Sequence, residues 1–312
     1  METPTTTTTN EASPECDAVP NCAVPLVGIV RHMGDAEYRA DCRASKHLLD
    51  VFMKNPYAFA SKVRAGEPLF DEPSAEMITG SAAHCLLLTP EAFAADFAVL
   101  PETITTRRGK AWDAFREENA GKAILKAEEM NTATFVAKAV QDIHALFAVL
   151  EDTPRDAREV SLFCELEGVP FKARIDWLHS LTIYDLKTAS DASPEAFARA
   201  CDEYGYDIQA AAYFAACDAC GIEATSFRFV VVEKKFPYSV GIYDAHRDSD
   251  FVRAGRLELR KRLALYKRFL DEGVEAFAES GVPVWTSAEI ALPAWSKRLR
   301  ALRDSEEAPF GE

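Results

Sequence analysis

Apolar positions fall into two regimes along the chain. From about residue 24 to 150 they recur mostly at helical spacing, and from about Glu159 they alternate or run together as they do in strands. Residues 45–54 carry Leu48, Leu49, Val51 and Phe52, and Asn55-Pro56 ends that helix, because the residue before a proline avoids the helical region. Residues 75–88, small and apolar, predict a packed helix, and Thr89-Pro90-Glu91 then offers an N-cap, a proline at the first helical position and an early acid. Residues 128–150 predict one long helix, with Phe135, Val136, Val140, Ile143, Leu146, Phe147 and Leu150 as its apolar stripe. Residues 160–165, 170–178 and 183–188 predict three strands, the last two joined by a short polar turn. Ser193-Pro194-Glu195 opens a helix, 207–219 continues as a second, 226–233 and 239–243 are strands, and 251–279 is a long helix. A short helix at 296–304 ends the pattern.

The predicted fold class is mixed α/β, with a central mixed sheet flanked by helices and a helical N-terminal part. The expected organisation is a disordered tail over 1–24, then one domain over 25–312. That domain divides into a helical part (25–150), an α/β core (151–280) and a C-terminal helical extension (281–312). The tail is assigned from its threonine tract, its prolines and its lack of Lys or Arg, which leave too little apolar surface to offset the entropy of ordering.

Charge narrows the classes of function. Among 312 residues, 35 Lys and Arg stand against 50 Asp and Glu, a formal charge of −15. A globally basic nucleic-acid coat is excluded, but a local basic cleft is not. Eight scattered cysteines in a chain with no secretory leader pattern do not suggest a disulfide framework, and no apolar run approaches the roughly 20 residues that span a bilayer. A cytoplasmic protein is expected.

The chemistry concentrates on one hairpin. In Ile183-Tyr-Asp185-Leu-Lys187 the acid and the lysine share a strand face, and Asp176 lies on the preceding strand, where a short turn can bring it beside Asp185. Two adjacent carboxylates repel unless a divalent cation neutralises them, and Mg²⁺ prefers such oxygen ligands. A second acid-x-Lys, Glu233-Lys-Lys235, has no acid on a hairpin partner strand. Gly80-Ser-Ala-Ala-His84 places an imidazole in a small-residue helix, Gln209 and Tyr213 share a helix face, and Glu159 opens the first strand of the meander.

In this order, the motifs Thr79-Gly80-Ser81-Ala82-Ala83-His84, Glu159-Val-Ser161, Arg174-Ile-Asp176, Asp185-Leu-Lys187-Thr188 and Gln209-Ala-Ala-Ala-Tyr213 resemble the PD-(D/E)XK nucleases of the RecB type. The resemblance is closest to the phage exodeoxyribonuclease VIII (RecE-like) group and runs over about residues 44–279. It implies a restriction-endonuclease-like core and Mg²⁺-dependent hydrolysis of DNA phosphodiesters, with Mn²⁺ able to substitute. The implied metal ligands are His84, Asp176, Asp185 and the backbone carbonyl of Leu186, with Lys187 orienting water and stabilising phosphate charge. Gln209 and Tyr213 would position these groups, and Glu159 would either stand behind the ligands or hold a second ion. It further implies 5′–3′ degradation from double-stranded DNA ends, an annealing protein as partner, a homo-oligomeric ring and a phage or prophage origin in a bacterial cytoplasm.

Two readings compete with that one: a RecB-like endonuclease of repair or defence, and a catalytically inactive DNA- or partner-binding protein on the same fold. No iron–sulfur cluster is expected, because Cys217-Asp-Ala-Cys220 lies in or at the end of a helix, and no second CxxC follows it. For DNA contact the sequence offers Arg253, Arg256, Arg260 and Lys267 on one helix face, and Arg107, Arg108 and Lys110 on a loop, each set also readable as a solvated surface.

Overall fold

The computed structural model describes residues 27–104 and 106–278. The expected tail over 1–24 and extension over 281–312, with its helix at 296–304, lie outside the described residues. The chain runs through β1 (Gly28–Val30), α1 (Asp35–Ala40), α2 (Lys46–Lys54), α3 (Pro56–Ala65), α4 (Ala75–Leu88), α5 (Phe93–Asp96), β2 (Phe97–Val99), α6 (Lys110–Glu118), β3 (Ala123–Leu125), α7 (Ala127–Gln141) and α8 (His144–Asp152). It continues through β4 (Arg158–Leu166), β5 (Val169–His179), β6 (Thr182–Ala189), α9 (Pro194–Tyr204), α10 (Tyr206–Ala219), β7 (Ser226–Glu233), β8 (Val240–His246) and α11 (Asp250–Ala278).

All five strands predicted after residue 159 are present, and with β1 they form a six-stranded sheet in the order β1-β4-β5-β6-β7-β8. Every neighbouring pair is antiparallel except β6–β7, which is parallel because α9 and α10 carry the chain back across the sheet. The mixed α/β class predicted from sequence is the architecture observed. The meander reads clearly because strand side chains alternate: on β7, Phe227, Phe229 and Val231 enter one core while Val230 and Val232 enter the other.

The first core packs α2, α3, α10 and α11 on one sheet face, centred on Phe52, which is fully buried and meets Phe59 and Tyr266 at ring distances of 5.3 and 5.1 Å. The second packs α4, α7 and α8 on the other face, around the stacked pair Trp177–Tyr184 at 4.9 Å. Burying one such large side chain contributes about 1.5–3 kcal/mol. No single described helix is long and apolar enough to cross a membrane.

Several expectations need correction. The long helix at 128–150 is two helices meeting at 90°, broken at Ile143, whose backbone is extended (φ −86, ψ 97). The apolar stripe runs straight through the break, so spacing alone does not reveal it. Thr89 accepts no capping hydrogen bond, and Pro90–Ala92 forms a single 3₁₀ turn. The helical N-terminal part also holds three short strands: β1 edges the main sheet, while β2 and β3 form a separate parallel pair. Cys42 is disulfide-bonded, whereas Cys85, Cys164, Cys201, Cys217 and Cys220 are free.

Candidate active site

The hairpin of β5 and β6 stops being a ladder where its acids stand. Trp177 pairs with Tyr184, Leu178 with Ile183 and His179 with Thr182, and the register ends before Asp176 and Asp185. Alternation also slips there. Ala173 and Ile175 face the first core, but Trp177 faces the second, so Asp176 occupies the residue at which the strand changes sides. On β4, Glu159 adopts a left-handed backbone (φ +49) between the paired positions Arg158↔Trp177 and Val160↔Ile175. For a residue with a Cβ that conformation costs of order 1–2 kcal/mol, the kind of strain held where geometry is functional.

The freed backbone is used at once. The amide of Leu186 donates to Asp176 Oδ2 at 2.6 Å. From the α4 side, His84 Nε2 donates to the Leu186 carbonyl at 2.9 Å, and its Nδ1 lies 3.4 Å from Asp176 Oδ2. Helix α4 can approach this closely because Gly80, one turn before His84, faces β6: a Cβ there would stand 3.1 Å from Thr188 Oγ1. The small residues of the Gly80–His84 motif therefore set how near the imidazole comes.

From the opposite side, α10 approaches Asp185. Gln209 Nε2 donates to Asp185 Oδ1 at 2.6 Å, and Tyr213, one turn on, hydrogen-bonds with Gln209. Asp185 Oδ2 lies 2.6 Å from Lys187 Nζ, yet this buried oxygen accepts no well-aligned hydrogen bond. Lys187 also lies over the Tyr206 ring at 5.0 Å.

Electrostatics follow the crowding. Burial pushes Asp176 up and His84 pulls it down, but Asp185 and Glu159 add to the rise, and its carboxyl reaches about 7. Glu159 is also raised by burial, against the pull of Arg174 and His84. Burial alone would lower the Lys187 ammonium, but Asp185 and Asp176 more than offset it and hold it above its ordinary value.

His84, Glu159 and Asp176 bring one ligand atom each within 4.8 Å of one another. An imidazole beside two carboxylates, with a third carboxylate holding an oxygen short of a hydrogen bond, suits a hard divalent cation. Of the ligands implied by resemblance, His84, Asp176 and the Leu186 carbonyl come together, with Glu159 joining them. Asp185 turns toward Lys187 and Gln209 and stands outside that tight group. Arg174, which the sequence offers only as part of the Arg174-Ile-Asp176 motif, also enters the site. It lies two residues from Asp176 on the same strand, pairs with Glu159 at 3.6 Å and donates to Ser161 Oγ at 3.2 Å. Its matching parity with Asp176 was the available signal.

These groups open into a cleft of about 1840 Å³, which Lys46, Tyr204, Tyr206 and Arg262 also line. None of Arg107, Arg108, Lys110, Arg253, Arg256, Arg260 or Lys267 lines it. Most are engaged elsewhere: Arg107 with Glu129, Arg253 with Asp250, Arg260 with Glu167 and Lys267 with Asp271. Cys217 is buried within α10, and the Cys220 thiol donates to the Gly28 and Phe163 carbonyls at 3.7 Å.

The fold has known counterparts. A crystal structure of a "putative exonuclease" from Eubacterium rectale aligns with a TM-score of 0.51 at 16% identity, covering 81% of this chain and 89% of that one. At that identity the likeness shows the fold alone. The crystal structure of SSO0001 aligns with a TM-score of 0.28 at 12% identity over 63% of this chain and 88% of that one, too low to carry an argument. No curated protein matches the chain. Residues 49–279 match the family described as a PDDEXK-like domain of unknown function (DUF3799). Fold and family together support a nuclease. The match takes in every residue of the site from His84 to Tyr213, and the chain belongs to this PDDEXK-like family.

Proposed function

We propose that the protein is a metal-dependent deoxyribonuclease that hydrolyses DNA phosphodiesters with Mg²⁺, Mn²⁺ serving in its place. The observation that carries this reading is the pairing of Asp185 with Lys187 at 2.6 Å beside the group of His84, Glu159 and Asp176. His84, Glu159 and Asp176, with Asp185 and the Leu186 carbonyl, would hold the cation. The bound cation would supply Lewis-acid polarisation of the phosphate and a more acidic water. Lys187 places a positive charge where the attacking water and the phosphate meet. Gln209 fixes the Asp185 carboxylate, and Arg174 anchors Glu159.

The finer reading is a RecE-like 5′–3′ exonuclease in a bacterial cytoplasm, phage-encoded, acting at double-stranded ends as a homo-oligomeric ring with an annealing protein. It rests on the motif resemblance. The direct experiment is digestion of end-labelled linear duplex beside closed circular DNA, with Mg²⁺ and with EDTA. Loss of the linear substrate alone, from its 5′ ends and only with Mg²⁺, supports the exonuclease. Cleavage of the circle identifies an endonuclease. Asp185→Asn and Lys187→Ala are each expected to lower the rate by at least about 1000-fold, or roughly 4 kcal/mol of barrier, while circular dichroism stays unchanged. Undiminished Mg²⁺-dependent cleavage by both variants overturns the assignment.

A further inference from the structure

The second acid-x-Lys tripeptide, Glu233-Lys234-Lys235, takes no part in the metal group but reaches the cleft through Lys234. Glu233 Oε1 accepts from the Ala192 amide at 3.1 Å, a purely structural use, while Lys234 lines the cleft itself. The chain then turns through Lys235, Phe236 and Pro237 to Tyr238. That turn is well tied: Lys234 N donates to Ala189 O at 2.9 Å, Tyr238 N to Lys235 O at 2.7 Å, and Glu233 N to Ser239 O at 2.9 Å.

On this fixed turn the Phe236 ring is 88% exposed, the highest value among the exposed large hydrophobic residues of the described chain. Packing does not account for it, because the ring touches none of the aromatic clusters of either core. Beside it, Tyr238 stacks on Phe135 of α7 at 5.2 Å, and Phe135 is itself 48% exposed. Lys235 forms no ion pair among the described residues. The facing acid is Glu76 on α4, whose carboxyl is held low chiefly by its own helix N-terminus and Ser74, and also by Lys234. From Lys234, which lines the cleft, the turn thus carries lysines and aromatic rings side by side on an otherwise acidic protein.

We propose that the Lys234–Tyr238 turn, with Phe135, docks an unpaired single strand of nucleic acid leading into the cleft. A base stacks on Phe236, and Lys234 and Lys235 meet the phosphates. The ring stands free of the surface, so its π-face suits an unpaired base; in a duplex, neighbouring pairs cover the base faces except at an end. Stacking of this kind tolerates any sequence, and lysines that neutralise phosphates make binding depend on salt. The proposal rests on the nuclease reading for its substrate class, and its test separates the two.

The test uses the full chain in EDTA, where cleavage plays no part, with fluorescein-labelled oligothymidylate and a blunt duplex as anisotropy probes. Phe236→Ala is expected to weaken single-strand binding about tenfold, the loss of one stacked base, with a smaller effect on the blunt duplex. Phe236→Trp is expected to retain affinity, with tryptophan emission quenched on adding the strand relative to the unchanged protein. Lys234→Gln with Lys235→Gln is expected to reduce the slope of log affinity against log salt by about 1.4. Unchanged single-strand affinity in Phe236→Ala overturns the proposal, as does unquenched emission in Phe236→Trp or an equal loss on the blunt duplex. If Asp185→Asn still cleaves DNA while Phe236→Ala loses the strand, the metal-site assignment falls and the docking surface stands.

Discussion

Asp176 is a carboxyl that the folded protein prefers to keep protonated. Its value rises from an ordinary 3.8 to about 7, so the folded state binds a proton that the unfolded chain releases. The stability this contributes is fully present below the ordinary carboxylate value and is lost as pH rises through about 7. In EDTA the denaturation midpoint is therefore expected to fall between about pH 5 and pH 8. Mn²⁺ or Mg²⁺ needs the ionised carboxylates, so the melting temperature it adds is expected to grow over the same interval. A metal-induced shift equal at both ends of the range contradicts this. Gln209→Ala removes the amide that holds Asp185 and is expected to lower Mn²⁺ affinity or turnover by about 10–100-fold, read by metal titration and steady-state rates. At this scale the sequence showed Asp176, Asp185 and Lys187 through strand parity and a short turn. It did not show that Glu159 reaches the same point, because that depends on a left-handed backbone at a residue type that seldom adopts it.

Two helices determine whether those side chains meet, and each is set by a glycine at a contact. Gly80 brings α4 onto β6, as described above. Gly255 does the same for α11 on α10: a Cβ there would overlap the backbone oxygen of Asp207, at the start of the helix that carries Gln209. Backbone cannot yield as a flexible side chain can. Gly255→Ala is therefore expected to cost about 1–3 kcal/mol, read as a lower denaturant midpoint, and to weaken Mn²⁺ binding in the fraction that stays folded. Helix positions were largely legible from apolar spacing and from caps such as Ser193, whose side chain accepts from the Ala196 amide. The α7–α8 corner was not, since Asp142 and Ile143 carry no helix-breaking chemistry and the stripe of Val140, Ile143, Leu146 and Leu150 continues across it. The corner arises from tertiary packing, with α7 lying against α4 and α8 against β5.

Across the whole molecule the basic helix turns out to be answered. Residues 253–268 look strongly cationic in sequence, but Glu167, Asp250, Asp271 and Glu272, beyond that stretch, pair with Arg260, Arg253, Lys267 and Arg268, and Asp50 pairs with Arg262. Three of these acids lie on α11 itself just outside the counted window, and only Glu167 and Asp50 come from other parts of the chain, which a count along the sequence could not place. The triple change Arg253→Ala, Arg260→Ala and Lys267→Ala is expected to leave DNA affinity within about twofold, since none of the three lines the cleft and each is already paired with an acid. Anisotropy titrations that show a large loss would place that helix on the binding surface. The mixed sheet and its helical layers were legible because their patterns are local; the cleft was not, because it gathers residues from distant stretches. His84 and Leu186, in contact through Nε2, are 102 positions apart in the chain. That separation has a temporal meaning. A ribosome working from the N-terminus releases the imidazole long before it has made the strand and the helix that complete the centre. For a protein proposed to cut DNA, half-made chains and N-terminal fragments ending before Gln209 are therefore expected to lack cleavage, which a nuclease assay on such a fragment checks.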